Sequence, residues 1–266
     1  MPSNDPFVAH QQAVVAACAQ HEQAYRQNLD YRRCIPFVIH TTNYFVKFGD
    51  SWCFTSEAMM QKEFAIVAEG DPNAPRVPVV YHVFQHEHLT YAIIEFVETV
   101  QVSEDIFVHK VAAAILWLRR PAWHIIFKNK HAPLLFTGAM ALERFLNKAV
   151  SMLQRREPGL AKISIAGEPL VLTQSDMDHS NFAVDATGRP IIFDFGQIGW
   201  LPESLANFTL LGTSSFAADV SVHVFGDGLD SVAASSNLAS MCAVRVCLGM
   251  GSRANLGLDK DGNPAT

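Results

Sequence analysis

The chain has 266 residues, 49% of them hydrophobic and 17% charged, with a formal net charge of −6. That length allows one large domain or two small ones and suffices for a sizeable core, and the composition is that of a soluble globular protein. The acidic balance argues against a general nucleic-acid binder, which usually shows a basic face. Five cysteines, Cys18, Cys34, Cys53, Cys242 and Cys247, are odd in number and lack metal-ligand spacing, so scattered reduced thiols in a cytosolic protein are expected. Met1 to Phe7 is short and polar, Ala13 to Cys18 is too brief for a signal-peptide core, and the longest apolar run, Val111 to Leu118, falls far short of a membrane span. A cytoplasmic protein with no membrane segment is expected.

In chain order, Phe7 to Gln27 is rich in Ala, Gln and Glu and carries a loose helical stripe through Val14, Ala17 and Cys18. Arg33 to Ile39 and Tyr44 to Phe48 read as two strands around His40-Thr-Thr-Asn43. Side chains alternate along a strand, so Val46 and Phe48 share one face and Lys47 takes the other. An ordinary edge-strand lysine facing solvent is one reading of Lys47, the one that the helix after it speaks against. Ser56 to Val67 predicts a helix with Met60, Phe64 and Val67 on one stripe. Glu57 and Glu63 flank that stripe, and periodicity does not choose between them. Asp71 to Pro78 is a proline-rich connection that no helix crosses. Val79 to Phe84 and Leu89 to Phe96 then form a hairpin around Gln85-His-Glu-His88. The nearby His82, His86 and His88 have no Cys or carboxylate set to complete a metal site.

The second half opens with a helix from Ser103-Glu-Asp105 to Arg119-Arg120, where capping at one end and basic residues at the other suit the macrodipole. Trp123 to Phe136 is irregular and carries Lys128, Lys130 and His131, a basic surface loop. Ala139 to Arg155 predicts an amphipathic helix that buries Leu142, Phe145, Leu146, Ala149, Met152 and Leu153. Leu170-Val171-Leu172 is a short buried strand, and Asp176 to Asn181 is a loop of Asp, Ser, His and Asn. Phe182-Ala183-Val184 and Ile191-Ile192-Phe193 are two apolar runs joined by Asp185-Ala-Thr-Gly188, a hairpin turn with glycine available for positive φ. Such a hairpin is expected to bring its open ends, Asn181 and Asp194, close together, with Asp176 just upstream. Near the C-terminus, Ser236 to Leu248 predicts a helix, and Asp259-Lys-Asp-Gly262 reads as a turn.

Asp176-x-x-x-x-Asn181, a hairpin, and Asp194-Phe-Gly196 in that order resemble the catalytic core of protein-kinase-like enzymes. The match is closer to the aminoglycoside phosphotransferase and choline-kinase-like branch. Gly196-Gln-Ile-Gly-Trp-Leu-Pro202-Glu203 resembles the Gly-x-x-Gly-x-x-Pro-Glu stretch of its fungal members. The resemblance implies an α+β, two-lobed protein-kinase-like fold. It would place a small antiparallel-sheet lobe over residues 1–97 and a mainly helical lobe, with the catalytic loop and hairpin, over 98–266. It implies Asp176 as the catalytic base, Asn181 and Asp194 as Mg²⁺ ligands, and Lys47 as the phosphate-binding lysine braced by Glu57. It also puts Glu95 and Val97 at the hinge that bonds adenine.

The chain departs from that pattern in three places. No glycine precedes Gly49, so a glycine-rich phosphate loop is absent or replaced by His40-Thr-Thr-Asn43. Gln174 and Ser175 stand where the family usually has His and Gly. Asp178 adds a negative charge two residues after Asp176, and it would repel a transferring phosphate unless it faces away or binds metal. The resemblance implies an ATP- and Mg²⁺-dependent phosphotransferase acting on a hydroxyl of a small molecule. The alternative is a catalytically inactive kinase-like binding protein, motivated by the missing glycine loop and Asp178. A Ser-His-Asp hydrolase is set aside because no Gly-x-Ser-x-Gly turn is present. Neither the acceptor nor the oligomeric state is readable from the sequence.

Overall fold

The computed structural model describes residues 5–29, 31–119, 136–212, 214–250 and 256–265. The basic stretch with Lys128, Lys130 and His131 lies outside the described residues. The chain runs through α1 (Gln11–Tyr25), β1 (Cys34–Ile39), β2 (Thr42–Asp50), α2 (Ser51–Glu69), β3 (Val80–His86) and β4 (Leu89–Glu95). It continues through α3 (Glu104–Leu118), α4 (Ala139–Leu153), β5 (Leu170–Gln174), β6 (Phe182–Val184), β7 (Pro190–Ile192) and β8 (Ile198–Pro202). It ends with α5 (Glu203–Gly212), α6 (Ser215–Phe225), α7 (Leu229–Ala233) and α8 (Ser236–Met250). Two compact units result: Met1–Val102 with Ala183–Gly196, and Ser103–Phe182 with Gln197–Thr266. Among the described residues, no helix is long and apolar enough to cross a membrane.

The first unit is built on an antiparallel sheet of order β1-β2-β4-β3. β2 is therefore an interior strand, and the edge-strand reading of Lys47 does not apply. Alternation along β2 sends Val46 and Phe48 to one face, where they pack with Val14 and Cys18 of α1 and with Ile35, Tyr91 and Ile93. The other face carries Ala92, Ile94 and Val80 against Phe54 and Ala58 of α2. Burying each large side chain contributes about 1.5–3 kcal/mol.

Helix α2 opens at Ser51, five residues ahead of the expected Ser56. Gly49 permits this, because a Cβ there would lie 2.9 Å from the Cβ of Phe54. Ser51 N–H donates to His88 O at 2.9 Å, which fixes the start. The buried face of α2 is Phe54, Ala58, Met60, Gln61, Phe64 and Ala68; Met60 and Phe64 are inside as expected, whereas Val67 is exposed. The two sheet hairpins turn at His40 (φ 55°) and Glu87 (φ 51°), neither of them glycine. His82 is engaged by Asp5 and Gln11 through its two ring nitrogens.

The hairpin β6–β7 groups with the first unit, whereas the division at Val97 leaves it with the second. Bridges from Arg76 to Ile191 and from Thr99 to Asp185 account for this. The second unit is mainly helical, with β5 and β8 paired antiparallel. Its core joins Phe145, Leu146, Ala149 and Val150 of α4 to Ile163, Ile165, Met241, Val244 and Leu258. Met152, expected inside, is half exposed, and Val150 takes its place on the buried face. Asp259 Oδ1 accepts from the N–H groups of Asp261 and Asn263, closing the C-terminal turn that the composition predicts.

Candidate active site

In the first unit, the interior strand β2 aims Lys47 toward α2. Its Nζ donates to Glu57 Oε1 and stands 3.7 Å from Asp194 Oδ1. Glu57 is three residues beyond Phe54, next to the buried stripe of α2, while Glu63 is exposed. The packing of α2 thus decides between two glutamates that periodicity left equal. Burial pulls the Lys47 pKa down, but Glu57 and then Asp194 outweigh it and hold the ammonium above its ordinary value. Lys47 is a fixed cation between two carboxylates.

Asp194 reaches that position because the residues after it are seated. Phe195 is fully buried, with its ring 5.5 Å from that of Phe64 on α2. Gly196 N–H donates to Asp194 Oδ1 at 2.7 Å. A Cβ on Gly196 would fall 2.7 Å from Asp194 Oδ1 and 3.0 Å from Glu57 Oε2, so only glycine lets the backbone approach both carboxylates.

At the end of β4, Glu95 N–H donates to Val79 O at 2.8 Å, and Val97 follows half-buried. The Glu95 carboxylate is already engaged: Oε1 accepts from Arg76 Nη2 at 2.5 Å and Oε2 from Val79 N–H at 3.2 Å. Any part Glu95 takes in holding a nucleotide therefore falls to its backbone. Arg76 Nη1 also donates to Asp185 Oδ2 at 3.2 Å. Burial alone pushes the Asp185 pKa up, but donors from Thr187, Arg189 and Arg76 outweigh it, and the group sits below its ordinary value. In the sequence Asp185 reads only as a turn residue, and Arg76 only as part of a proline-rich connection. Their spacing carries no motif, and only the fold brings residues 109 apart in the chain together.

In the second unit, β5 delivers Gln174 and Asp176. Gln174 is fully buried, and its Oε1 accepts the Asp176 N–H at 3.1 Å. Asn181 Nδ2 donates to Asp176 O at 3.1 Å. The backbone of Asp176 is held from both sides, at its N–H by Gln174 and at its C=O by Asn181. Glutamine thus supplies the loop scaffold where the family pattern has histidine. Asp178 Oδ1 accepts from Ser180 N–H at 2.9 Å and Ser180 Oγ–H at 2.6 Å, capping the short helical turn His179–Asn181. That cap gives Asp178 a local structural role on an exposed turn. His179 packs on Phe107 and Phe216, with ring centroids 4.3 and 5.1 Å away.

Among the described residues, no group of three or more His, Cys, Asp or Glu could hold a metal. A hard cation bound here would take few protein oxygens, as Mg²⁺ does when phosphates complete its shell. Asp194 in the first unit and Asn181 in the second each carry an oxygen donor of that type.

No protein-family model and no curated protein matches this sequence. Solved structures do match. One is a thermostable variant of aminoglycoside phosphotransferase APH(4)-Ia in ternary complex with ADP and hygromycin B, with 12% identity, 79% of each chain covered and a TM-score of 0.53. Another variant of the same enzyme, in ternary complex with AMP-PNP and hygromycin B, gives 12% identity, 80% of each chain and 0.52. At that identity the likeness shows the fold, and this chain has the protein-kinase-like fold of the aminoglycoside phosphotransferases.

Proposed function

We propose that the protein is an ATP- and Mg²⁺-dependent phosphotransferase that phosphorylates a hydroxyl of a small molecule. The observation that carries this reading is Lys47 held between Glu57 and Asp194. A binding module has no physical need for a charged lysine fixed by two acids on separate elements. The solved structures that share the fold are ternary complexes with ADP or AMP-PNP and hygromycin B, which supports nucleotide binding at this site.

In this reading Glu95 and Val97 present backbone groups to adenine, and Lys47 contacts the α- and β-phosphates. Asn181 and Asp194 would hold Mg²⁺, which neutralises phosphate charge when bound. Asp176 accepts a hydrogen bond from the acceptor hydroxyl, orients its oxygen toward the γ-phosphorus and takes up its proton. The new O–P bond forms as the bridging bond to the β-phosphate breaks, and ADP leaves with that oxygen. Most of the rate comes from positioning and preorganised charge, since this transfer needs little covalent help from protein.

Asp194→Ala is expected to abolish the Mg²⁺-dependent part of the thermal stabilisation by ATP, because a ligand that binds only the native state raises Tm. An unchanged ATP–Mg²⁺ shift in that variant sinks the assignment. One observation favours the second reading, an inactive nucleotide-binding relative: the β1–β2 turn, which would cover phosphates, contains no glycine. Tight ATP–Mg²⁺ binding with no ATP consumed across a broad panel of hydroxylated metabolites would decide for it.

A further inference from the structure

The geometry points to Arg76 as a positioning residue that ties the end of β4 to the β6–β7 hairpin and thereby holds Asp194 in register with Lys47 and Glu57. Its catalytic consequence rests on the phosphotransferase reading, while the tie itself does not. Arg76 lies in the proline-rich connection between α2 and β3, outside any helix or strand. Both its main chain and its side chain are used. Its N–H donates to Pro190 O at 2.7 Å, and its C=O accepts from Ile192 N–H at 3.2 Å, a parallel bridge centred on Ile191. Its guanidinium reaches Asp185 with one nitrogen and Glu95 with another.

A hairpin whose strands have three residues each is not stable on its own. β6 is held from its own side by Val100 N–H donating to Val184 O at 2.9 Å. Arg76 holds β7, the strand that leads into Asp194 two residues later. The anchor at its other end is rigid, because Glu95 pairs with Tyr44 in the β2–β4 ladder and bonds Val79 through both backbone and side chain. Asp185 is almost fully buried, and its Oδ1 accepts from Thr187 N–H, Thr187 Oγ–H and Arg189 N–H, leaving Oδ2 to the arginine. Only a planar fork satisfies two carboxylates on two elements at once, and a lysine ammonium serves one of them well. The nucleotide-facing end of β4 and the carboxylate assigned to the metal are therefore linked through one side chain.

The test uses Arg76→Met and Arg76→Lys in the full chain, with circular dichroism to establish that each is folded. Calorimetry compares ADP with Mg²⁺, ADP with EDTA, and adenosine. In Arg76→Met the gain in ADP affinity given by Mg²⁺ is expected to fall roughly tenfold, the scale of one lost charge-assisted contact. Adenosine affinity is expected to change by less than about twofold, since the β4 backbone keeps its ladder bonds. Arg76→Lys should fall between. A Mg²⁺ gain equal to wild type, or an equal loss for adenosine and ADP–Mg²⁺, overturns the positioning role. Amide hydrogen exchange supplies the second arm: Ile192 and Arg189 should exchange faster in Arg76→Met while Val46 and Ile93 do not. Unchanged exchange at Ile192 overturns the tie. If the wild type gains nothing from Mg²⁺, the functional reading fails by itself, and exchange alone then decides whether Arg76 anchors the hairpin.

Discussion

Gln174 shows how a residue that departs from the expected pattern can keep its role. A histidine and a glutamine share the ability to accept a backbone N–H, and Gln174 does so for Asp176 from a fully buried position. Replacing it with Leu, similar in volume, leaves that N–H without an acceptor. Gln174→Leu is expected to cost about 1–3 kcal/mol, the penalty for an unsatisfied buried donor, read as a lower urea midpoint with an unchanged slope. Asp178 carries a similar lesson. Its charge looked hostile to phosphate in the sequence, yet it serves as a helix cap, a local use made with Ser180 two residues away. The pairing of Lys47 with Glu57 was half legible. Strand alternation gave the direction of the lysine, but two glutamates competed until the burial of Phe54, Gln61 and Phe64 fixed the rotation of α2.

At the scale of elements, strands and helices were legible because their periods differ, and their ends were not. α2 begins five residues early because Gly49 admits Phe54 and His88 O receives the Ser51 N–H, both tertiary facts. The hairpin turns are a second case. Glu87 holds φ at 51° in an exposed two-residue loop between His86 and Leu89. A side chain there carries left-handed strain that glycine avoids, so Glu87→Gly is expected to stabilise the protein by about 1 kcal/mol. Thermal denaturation should show a Tm about 2–4 °C higher, and a lower Tm would refute the strain argument. The β6–β7 hairpin was the most legible element of all, since Asp185 to Gly188 is turn chemistry and Gly188 adopts φ 80°.

Across the whole molecule, the Arg76–Asp185–Glu95 cluster makes stability depend on pH in a defined direction. The Asp185 pKa in the folded protein lies below its ordinary value, so the unfolded chain binds the proton more readily. Its contribution is fully present above the ordinary carboxylate pKa and is lost as pH falls through the lowered folded value. Urea stability should therefore decline as pH drops below about 4, and Asp185→Asn should flatten that decline while lowering stability at neutral pH. A variant with the wild-type slope would remove Asp185 from the account. The sequence by itself determined the period of each long element, the hairpin turn, and the order Asp176, Asn181, Asp194, because these depend on neighbours a few positions away. It also set the expectation of a kinase-like, α+β fold, which the solved structures bear out. Only the tertiary structure decided that β2 is interior, that Glu57 rather than Glu63 meets Lys47, and that Arg76 joins residues 19 and 109 positions away. Those outcomes follow from packing and from the need to pair buried charge, and neither leaves a periodic mark on the chain.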